Sequence, residues 1–517
     1  MIPLTALLSR LRTRKFLFLI LVFSILSLFL YTSALGNLVS EWSLLERIPG
    51  FPTGTLRSKS TCSPQEYAEG KWVWRPYYKR PGPLSKSSPA DIAAASNSTG
   101  EPSAKMQKNE DILDFARFGG CASSREFWWN FAVDKKEQWD RFPAAVEWEW
   151  VPGGRCSANE GLREWKAEDV VRDLVEGGGW LLIGDSITEG HFFSLSCLLY
   201  PHVLATPDYT NLTSFDRAWP QHLYLNPASP LLHHDSTIRI TKHQAGLKNA
   251  RKKLRLPPNF DIEKTPLVTF RRNDLLYSKE ELEAMHKELH PEFYKANETF
   301  QLFGDEAVWT FPPLRVPLGY LPRSVKPLPD GPAEEEENLE EKKEGDPVFG
   351  YDGLLKFFEE AMERWAQKVQ VAIDSAAAQQ QDSSSGRPYP PPVGAGGREE
   401  AGVQMRPWTA VVRPYLPGHE DCHDHRSASQ EVVPLKWNWW NWGEIWRYNQ
   451  IFENLLSPGD GKAKKYKNVH YLPIDRPGRL RPDAHASGDC LHIMTGAGVL
   501  EGWSHYIWHY ITREVSS

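Results

Sequence analysis

The run Trp180-Leu181-Leu182-Ile183 stops at Gly184-Asp185-Ser186, and Ile187 to Tyr200 behind it is rich in apolar residues. A short apolar run ending at glycine reads as a buried strand, and the stretch after it as a helix. That strand–turn–helix unit commits the chain to an α/β architecture. It also exposes the Ser186 hydroxyl at the carboxyl edge of a sheet, where the helix's first N–H groups can stabilise an oxyanion. Near the other end stands Asp489-Cys490-Leu491-His492. An aspartate three residues before a histidine lets one carboxylate orient the imidazole that takes a serine's proton. Alone, Gly-Asp-Ser is usually a turn and Asp-x-x-His a surface ion pair. Together they supply the parts of an acyl-transfer site.

The rest of the chain is read for more strands and helices. Leu354, Phe358, Met362, Trp365 and Val369 recur at helical spacing, which predicts an amphipathic helix over 351–374 with a core-facing stripe. Trp408 to Val412, Val469 to Pro473 and Pro266 to Phe270 read as short strands. Apolar strands alternating with helices predict a parallel sheet flanked by helices. Three stretches interrupt this pattern: 81–108, rich in Pro, Ser, Ala and Gly; 324–347, with the acidic run Glu334 to Glu337; and 375–402, with Pro390-Pro391-Pro392. They predict disordered inserts, tolerated because closure entropy grows slowly with loop length. The 517 residues then form one large domain rather than several.

The N-terminus predicts an address. Arg10, Arg12, Arg14 and Lys15 precede Phe16 to Leu35, about 20 residues without a charge, enough to cross a bilayer. Basic residues ahead of the span place the N-terminus in the cytosol. The expected order is a cytosolic tail over 1–15, a transmembrane helix over 16–35, a stem over 36–60 and a luminal catalytic domain over 61–517. A signal peptide cut near Thr32-Ser33-Ala34 is the alternative. Asn97, Asn211 and Asn297 begin glycosylation sequons, in keeping with a luminal body. Cys62, Cys121, Cys156, Cys197, Cys422 and Cys490 all lie beyond the span and can pair there. None are spaced as Cys-x-x-Cys, so no zinc site is expected. A formal charge of −6 gives no nucleic-acid signature.

The ordered blocks resemble a known family. Trp148-Glu149-Trp150-Val151-Pro152, Arg155-Cys156, Gly184-Asp185-Ser186, Ser194 to Leu199, Arg481-Pro482-Asp483-Ala484-His485 and Asp489 to His492 are similar to the trichome-birefringence-like, or PC-esterase, family. Cys62 with Gly70-Lys71-Trp72-Val73 resembles its opening block, so the likeness runs from Cys62 to Tyr510. The resemblance implies a Golgi type II protein that O-acetylates polysaccharides on an SGNH-hydrolase-like α/β fold. It implies Ser186 as nucleophile, His492 as base and acid, and Asp489 as the residue orienting His492. It also implies disulfides Cys62–Cys156, Cys121–Cys197 and Cys422–Cys490. Plant members carry Arg-Asn-Gln after the serine and Trp-Cys after the closing histidine, whereas this chain has Ile187-Thr188-Glu189 and Ile493-Met494. It reads as a divergent branch.

Further candidates flank that core. Asn273, after the strand ending at Phe270, stands where SGNH enzymes place an amide donor to the oxyanion, although an Asn-Asp pair also forms turns. The Ser186 N–H is the other donor. His419 lies in a cluster of histidines and acids from Pro417 to His425, read as a loop contacting substrate hydroxyls rather than as a metal site. Trp437 opens the densest aromatic segment, suited to stacking on sugars and equally to core packing. Asp185, His419 and Trp437 are thus candidate substrate contacts. The leading expectation is a glycan O-acetyltransferase working through an acetyl-serine. A glycan acetylesterase with the same triad and a catalytically silent glycan-binding protein are the alternatives. No bound cofactor is expected; the acetyl donor, acetyl-CoA or another, enters as co-substrate, with a separate luminal supplier implied because one span cannot carry it across the bilayer.

Overall fold

A computed structural model describes residues 61–75, 106–123, 130–131, 135–157, 161–208, 220–232, 254, 256–257, 260–273, 276–291, 350–383, 408–435, 439–457 and 464–515. Every described residue lies within Ser60–Ser516. The expected tail, membrane span and stem lie outside the described residues, as do Asn97, Asn211, Asn297 and Trp437. Among the described residues no helix is long and apolar enough to cross a membrane.

Strands β1 (Lys71–Trp74) and β2 (Trp148–Val151) form an antiparallel pair. The principal sheet contains β3 (Trp180–Gly184), β4 (Val203–Thr206), β5 (Gln221–Leu225) and β6 (Pro266–Arg272), in the order β3-β6-β5-β4. A separate parallel pair joins β7 (Ala410–Val412) to β8 (Val469–Tyr471).

This corrects the expectation of an SGNH-hydrolase-like parallel sheet flanked by helices. Only β3 and β6 of the principal sheet run parallel; β5 opposes both β6 and β4, and β3 ends up at an edge. The reason is visible in β5, where buried Gln221, Leu223 and Leu225 alternate with half-buried His222 and Tyr224. Alternation marks a strand covered on one face, which antiparallel pairing tolerates and a doubly covered parallel sheet does not. The sheet's other face agrees: Leu181 and Ile183 on β3 are 59% and 57% exposed. Reading strand–helix alternation alone passed over β4 and β5.

The covered face packs on α1 (Ala167–Gly177) and α2 (Ser186–Leu198). Val170, Val171, Leu174, Phe192 and Leu195 from these helices bury Leu223, Leu225, Val268 and Phe270. Burying a side chain of this kind stabilises by roughly 1.5–3 kcal/mol, so this layer holds β3 and α2, the two arms of the Ser186 turn, in place. Helix α3 (Lys279–Leu289) and the long α4 (Gly350–Ser383) pack together, and α5 (Ile445–Leu456) joins α4 over β8. The helix foreseen over 351–374 therefore runs on into the stretch read as an insert from 375. Met106, at the end of the stretch read as the first insert, is buried. Helix α6 (Val499–His509) lies against α2, tied by Ser194 Oγ donating to Glu501 at 2.6 Å and by His191 paired with Ser504 at 2.9 Å.

The disulfides are Cys62–Cys156, Cys121–Cys197 and Cys422–Cys490, the pairs the resemblance implied, and no described cysteine is free. Deep in the core, Arg481 and Asp483 form a fully buried ion pair at 2.8 Å. The Arg481 guanidinium stacks over Trp72 and also donates to the carbonyls of Ala145 and Ala497. Such saturation lets a buried cation persist. It fixes the segment that leads into the Asp489–His492 loop.

Candidate active site

Ser186 is the first residue of α2, and Asp185 caps the helix by accepting from the Ile187 N–H at 3.0 Å. Gly184 is required by close approach: a Cβ there would lie 2.3 Å from the Thr188 Oγ1. The turn is therefore tight enough to leave Ser186 at the sheet's carboxyl edge. As the first helical residue, its N–H stands outside the helix's hydrogen-bond ladder and is available to an anion.

His492 Nε2 lies 2.7 Å from Ser186 Oγ, and its Nδ1 lies 2.7 Å from Asp489 Oδ2. The carboxylate can only accept, so Nδ1 carries the proton and Nε2 is left to accept from the serine hydroxyl. Asp489 Oδ1 takes the backbone N–H groups of Leu491 and His492, both at 2.8 Å. One side chain thus shapes the turn and aims the imidazole. Partial burial works to raise its pKa, but the hydrogen bond and charge of His492, with the two backbone donors, hold it well below the usual carboxylate range. It remains an anion throughout the physiological range. Ser186, His492 and Asp489 form one continuous hydrogen-bonded chain across three hundred residues of sequence.

The loop carrying Asp489 and His492 is anchored from behind. The His419 N–H donates to the Cys490 carbonyl at 2.9 Å, a contact possible because Gly418 has no Cβ; one there would sit 2.4 Å from that same oxygen. The Cys422–Cys490 bridge fastens the same two segments, and Ala486 N–H donates to His492 O at 2.8 Å. The His419 side chain is not placed to meet a substrate hydroxyl. Its Nε2 bonds the Arg479 carbonyl at 3.0 Å and its Nδ1 meets His485 Nε2 at 2.7 Å. Nε2 must donate to the carbonyl, so Nδ1 accepts from His485, and both rings are neutral. Burial is the main reason the His419 pKa falls to about 4 and that of His485 well below its ordinary value. His419 is a buttress of the loop.

Asn273 is brought to the end of β3, the edge where Ser186 follows. Its N–H donates to the Gly184 carbonyl at 2.8 Å where β6 ends next to β3, and its side chain is exposed there. Asp185 stays with the helix cap. Of the aromatic segment after Trp437, Trp442 is buried against Gly418 while Trp446 is exposed. Cys422, His423 and Cys490 are close enough to group around an ion, but both sulfurs are committed to the disulfide.

Residues missed in the sequence complete the surroundings. Arg413, just past β7, donates to Thr188 Oγ1 at 3.2 Å and stacks over Trp503 with its guanidinium 4.2 Å from the ring centre. Burial lowers its pKa, and the Asp185 carboxylate works against that. Glu189, one turn along α2 from Ser186, pairs with Gln221 at 2.7 Å and Arg272 at 3.5 Å. The signal for Arg413 was its place at the end of an expected strand. A cavity of about 870 Å³, lined by Trp148, Trp150, Trp165 and Tyr200, contains none of the three catalytic candidates. It lies by Leu198, at the far end of α2.

No protein-family model matches the chain, and no curated protein or solved structure matches it either. The family resemblance rests on the motif residues alone.

Proposed function

We propose that the chain is a serine-dependent acyltransferase that moves an acetyl group onto glycan hydroxyls. The reading is carried by the Asp489–His492–Ser186 chain of 2.7 Å hydrogen bonds, which ends on a serine at a helix N-terminus. In the first half-reaction Ser186 Oγ attacks the acetyl carbonyl while His492 Nε2 takes its proton. The oxygen becomes negative and is held by the Ser186 N–H, with Asn273 within the same edge of the sheet. Collapse expels the donor's leaving group, which receives the proton from His492. In the second half His492 removes a proton from a sugar hydroxyl, that oxygen takes the acetyl group as the Ser186 Oγ–acyl bond breaks, and His492 returns the proton to Ser186 Oγ. Asp489 stabilises the imidazolium in both.

A glycan acetylesterase is the second reading. It is favoured by the openness of the triad, since the Asp489 side chain is 39% exposed and water can approach. A luminal position fits the three disulfides, which persist in oxidising compartments; the Golgi anchor belongs to the same proposal. The test is incubation of the luminal part with an acetyl donor and a panel of polysaccharides, read by mass spectrometry. Acetylated sugar marks the transferase and free acetate alone the esterase, and Ser186→Ala abolishes either. Wild-type rates in that variant would remove Ser186 from the reaction.

A further inference from the structure

Tyr415 stands two residues after Arg413 and is 8% exposed. Its ring packs with Trp442 and Ile445, and Leu491 closes over this cluster. Leu491 is the residue between Cys490 and His492, so the cluster borders the loop that carries the base. Arg413, two residues earlier, donates to Thr188 Oγ1 at 3.2 Å on the helix that begins at Ser186. The segment around Tyr415 is therefore tied both to the Ser186 helix and to the loop that carries His492.

Its hydroxyl has no hydrogen-bond partner among the described residues. A buried tyrosine normally finds one, and leaving it unmade costs about 1–3 kcal/mol. The residue is not loosely held. Its N–H donates to Asn449 Oδ1 at 2.8 Å and its carbonyl accepts from Asn449 Nδ2 at 2.9 Å, so α5 clamps the backbone from both sides. Burial and the Asp185 carboxylate raise the phenol's pKa, which keeps its proton available for donation. A donor fixed in place, protonated and unsatisfied, on a segment tied to both reacting elements, is a group whose partner arrives with the substrate.

We propose that the Tyr415 hydroxyl donates a hydrogen bond to the acyl group bound at Ser186. The acyl group is the part common to every substrate of such a site. It must lie between the Ser186 helix and the His492 loop, the two elements to which the Tyr415 segment is tied. The proposal rests on the acyl-transfer reading given above.

The test is Tyr415→Phe, assayed with p-nitrophenyl acetate and with an acetylated xylan, beside wild type and Ser186→Ala. Loss of the hydrogen bond should lower kcat/KM about tenfold or more on both substrates. Removing an unsatisfied hydroxyl should at the same time leave Tm unchanged or raise it, which a purely structural role would not do. Unchanged rates on both substrates would overturn the proposal. So would a loss confined to the xylan, which would place the contact on the sugar, or a clear fall in Tm, which would give the hydroxyl a structural partner. Full activity of Ser186→Ala would instead discard the serine reading, and this contact with it.

Discussion

Replacing Asp489 by asparagine changes one atom's chemistry and leaves the shape nearly intact. In the native site Oδ1 accepts the Leu491 and His492 N–H groups at 2.8 Å, and Oδ2 accepts from His492 Nδ1 at 2.7 Å. An asparagine can keep its oxygen on the two backbone donors, so the turn survives. Its amide then faces Nδ1 and can only donate to it. That forces the proton onto Nε2, the nitrogen 2.7 Å from Ser186 Oγ. A protonated Nε2 cannot accept the serine's proton, and the stabilising charge behind the imidazolium is lost as well. In a serine protease the same exchange lowers kcat by about 10⁴, or roughly 5 kcal/mol of barrier. Asp489→Asn should therefore reduce hydrolysis of p-nitrophenyl acetate by a similar factor, while its thermal midpoint stays close to wild type because the backbone bonds remain. Activity within tenfold of wild type would refute the assignment of Asp489 as the orienting carboxylate. A large drop in Tm with the same loss of rate would show that the turn, not the tautomer, had failed.

The His419 buttress should make the fold acid-sensitive. Its folded pKa is depressed from 6.5 to about 4, so its stabilisation is complete above pH 6.5 and is lost as the pH falls through 4, about 3 kcal/mol in all; Tm measured from pH 7.5 to 4 should fall accordingly, and an unchanged Tm over that range would exclude it. Gly184→Ala should cost about 1–3 kcal/mol of stability and at least tenfold in rate, because its Cβ would meet Thr188 Oγ1 at 2.3 Å in the helix that aims Ser186. Wild-type denaturation midpoint and rate in that variant would show that the turn can open without consequence.

The local geometry of the candidate catalytic residues was legible because each is set by a short local pattern. Gly184 must be small for Thr188, Asp185 caps the helix at Ile187, and Asp489 folds its own turn onto His492; each of these contacts spans four residues or fewer. Sequence spacing reports such contacts directly. The direction of the strands was not legible in the same way. β6 was recognised as a strand, but that β5 runs against it is decided by pairing across the sheet. A motif scan tuned to strands followed by helices gives β5 no weight. The alternation of Gln221, Leu223 and Leu225 was the signal, and it was present.

His419 shows where residue chemistry alone misleads. A histidine in a dense cluster of acids and histidines looks available to a ligand, because ring nitrogens are good donors and ligands for metals. Its availability depends on what reaches those nitrogens, and here Arg479 and His485, both sixty or more residues away, take them. Tyr415 is the converse case. Nothing in Arg413-Pro414-Tyr415 distinguishes it in sequence, and its chemical interest comes only from a missing partner in the cluster that Leu491 packs against. Both residues lie in the segment that follows β7 and runs to the Cys422–Cys490 bridge. On the reading proposed, that segment has two duties: His419 holds the Asp489–His492 loop from behind, and Tyr415 meets the acyl group. A substitution at His419 should act through loop position and acid stability, and one at Tyr415 through rate without loss of stability. The opposite pairing of effects would mean that the two duties had been assigned the wrong way round.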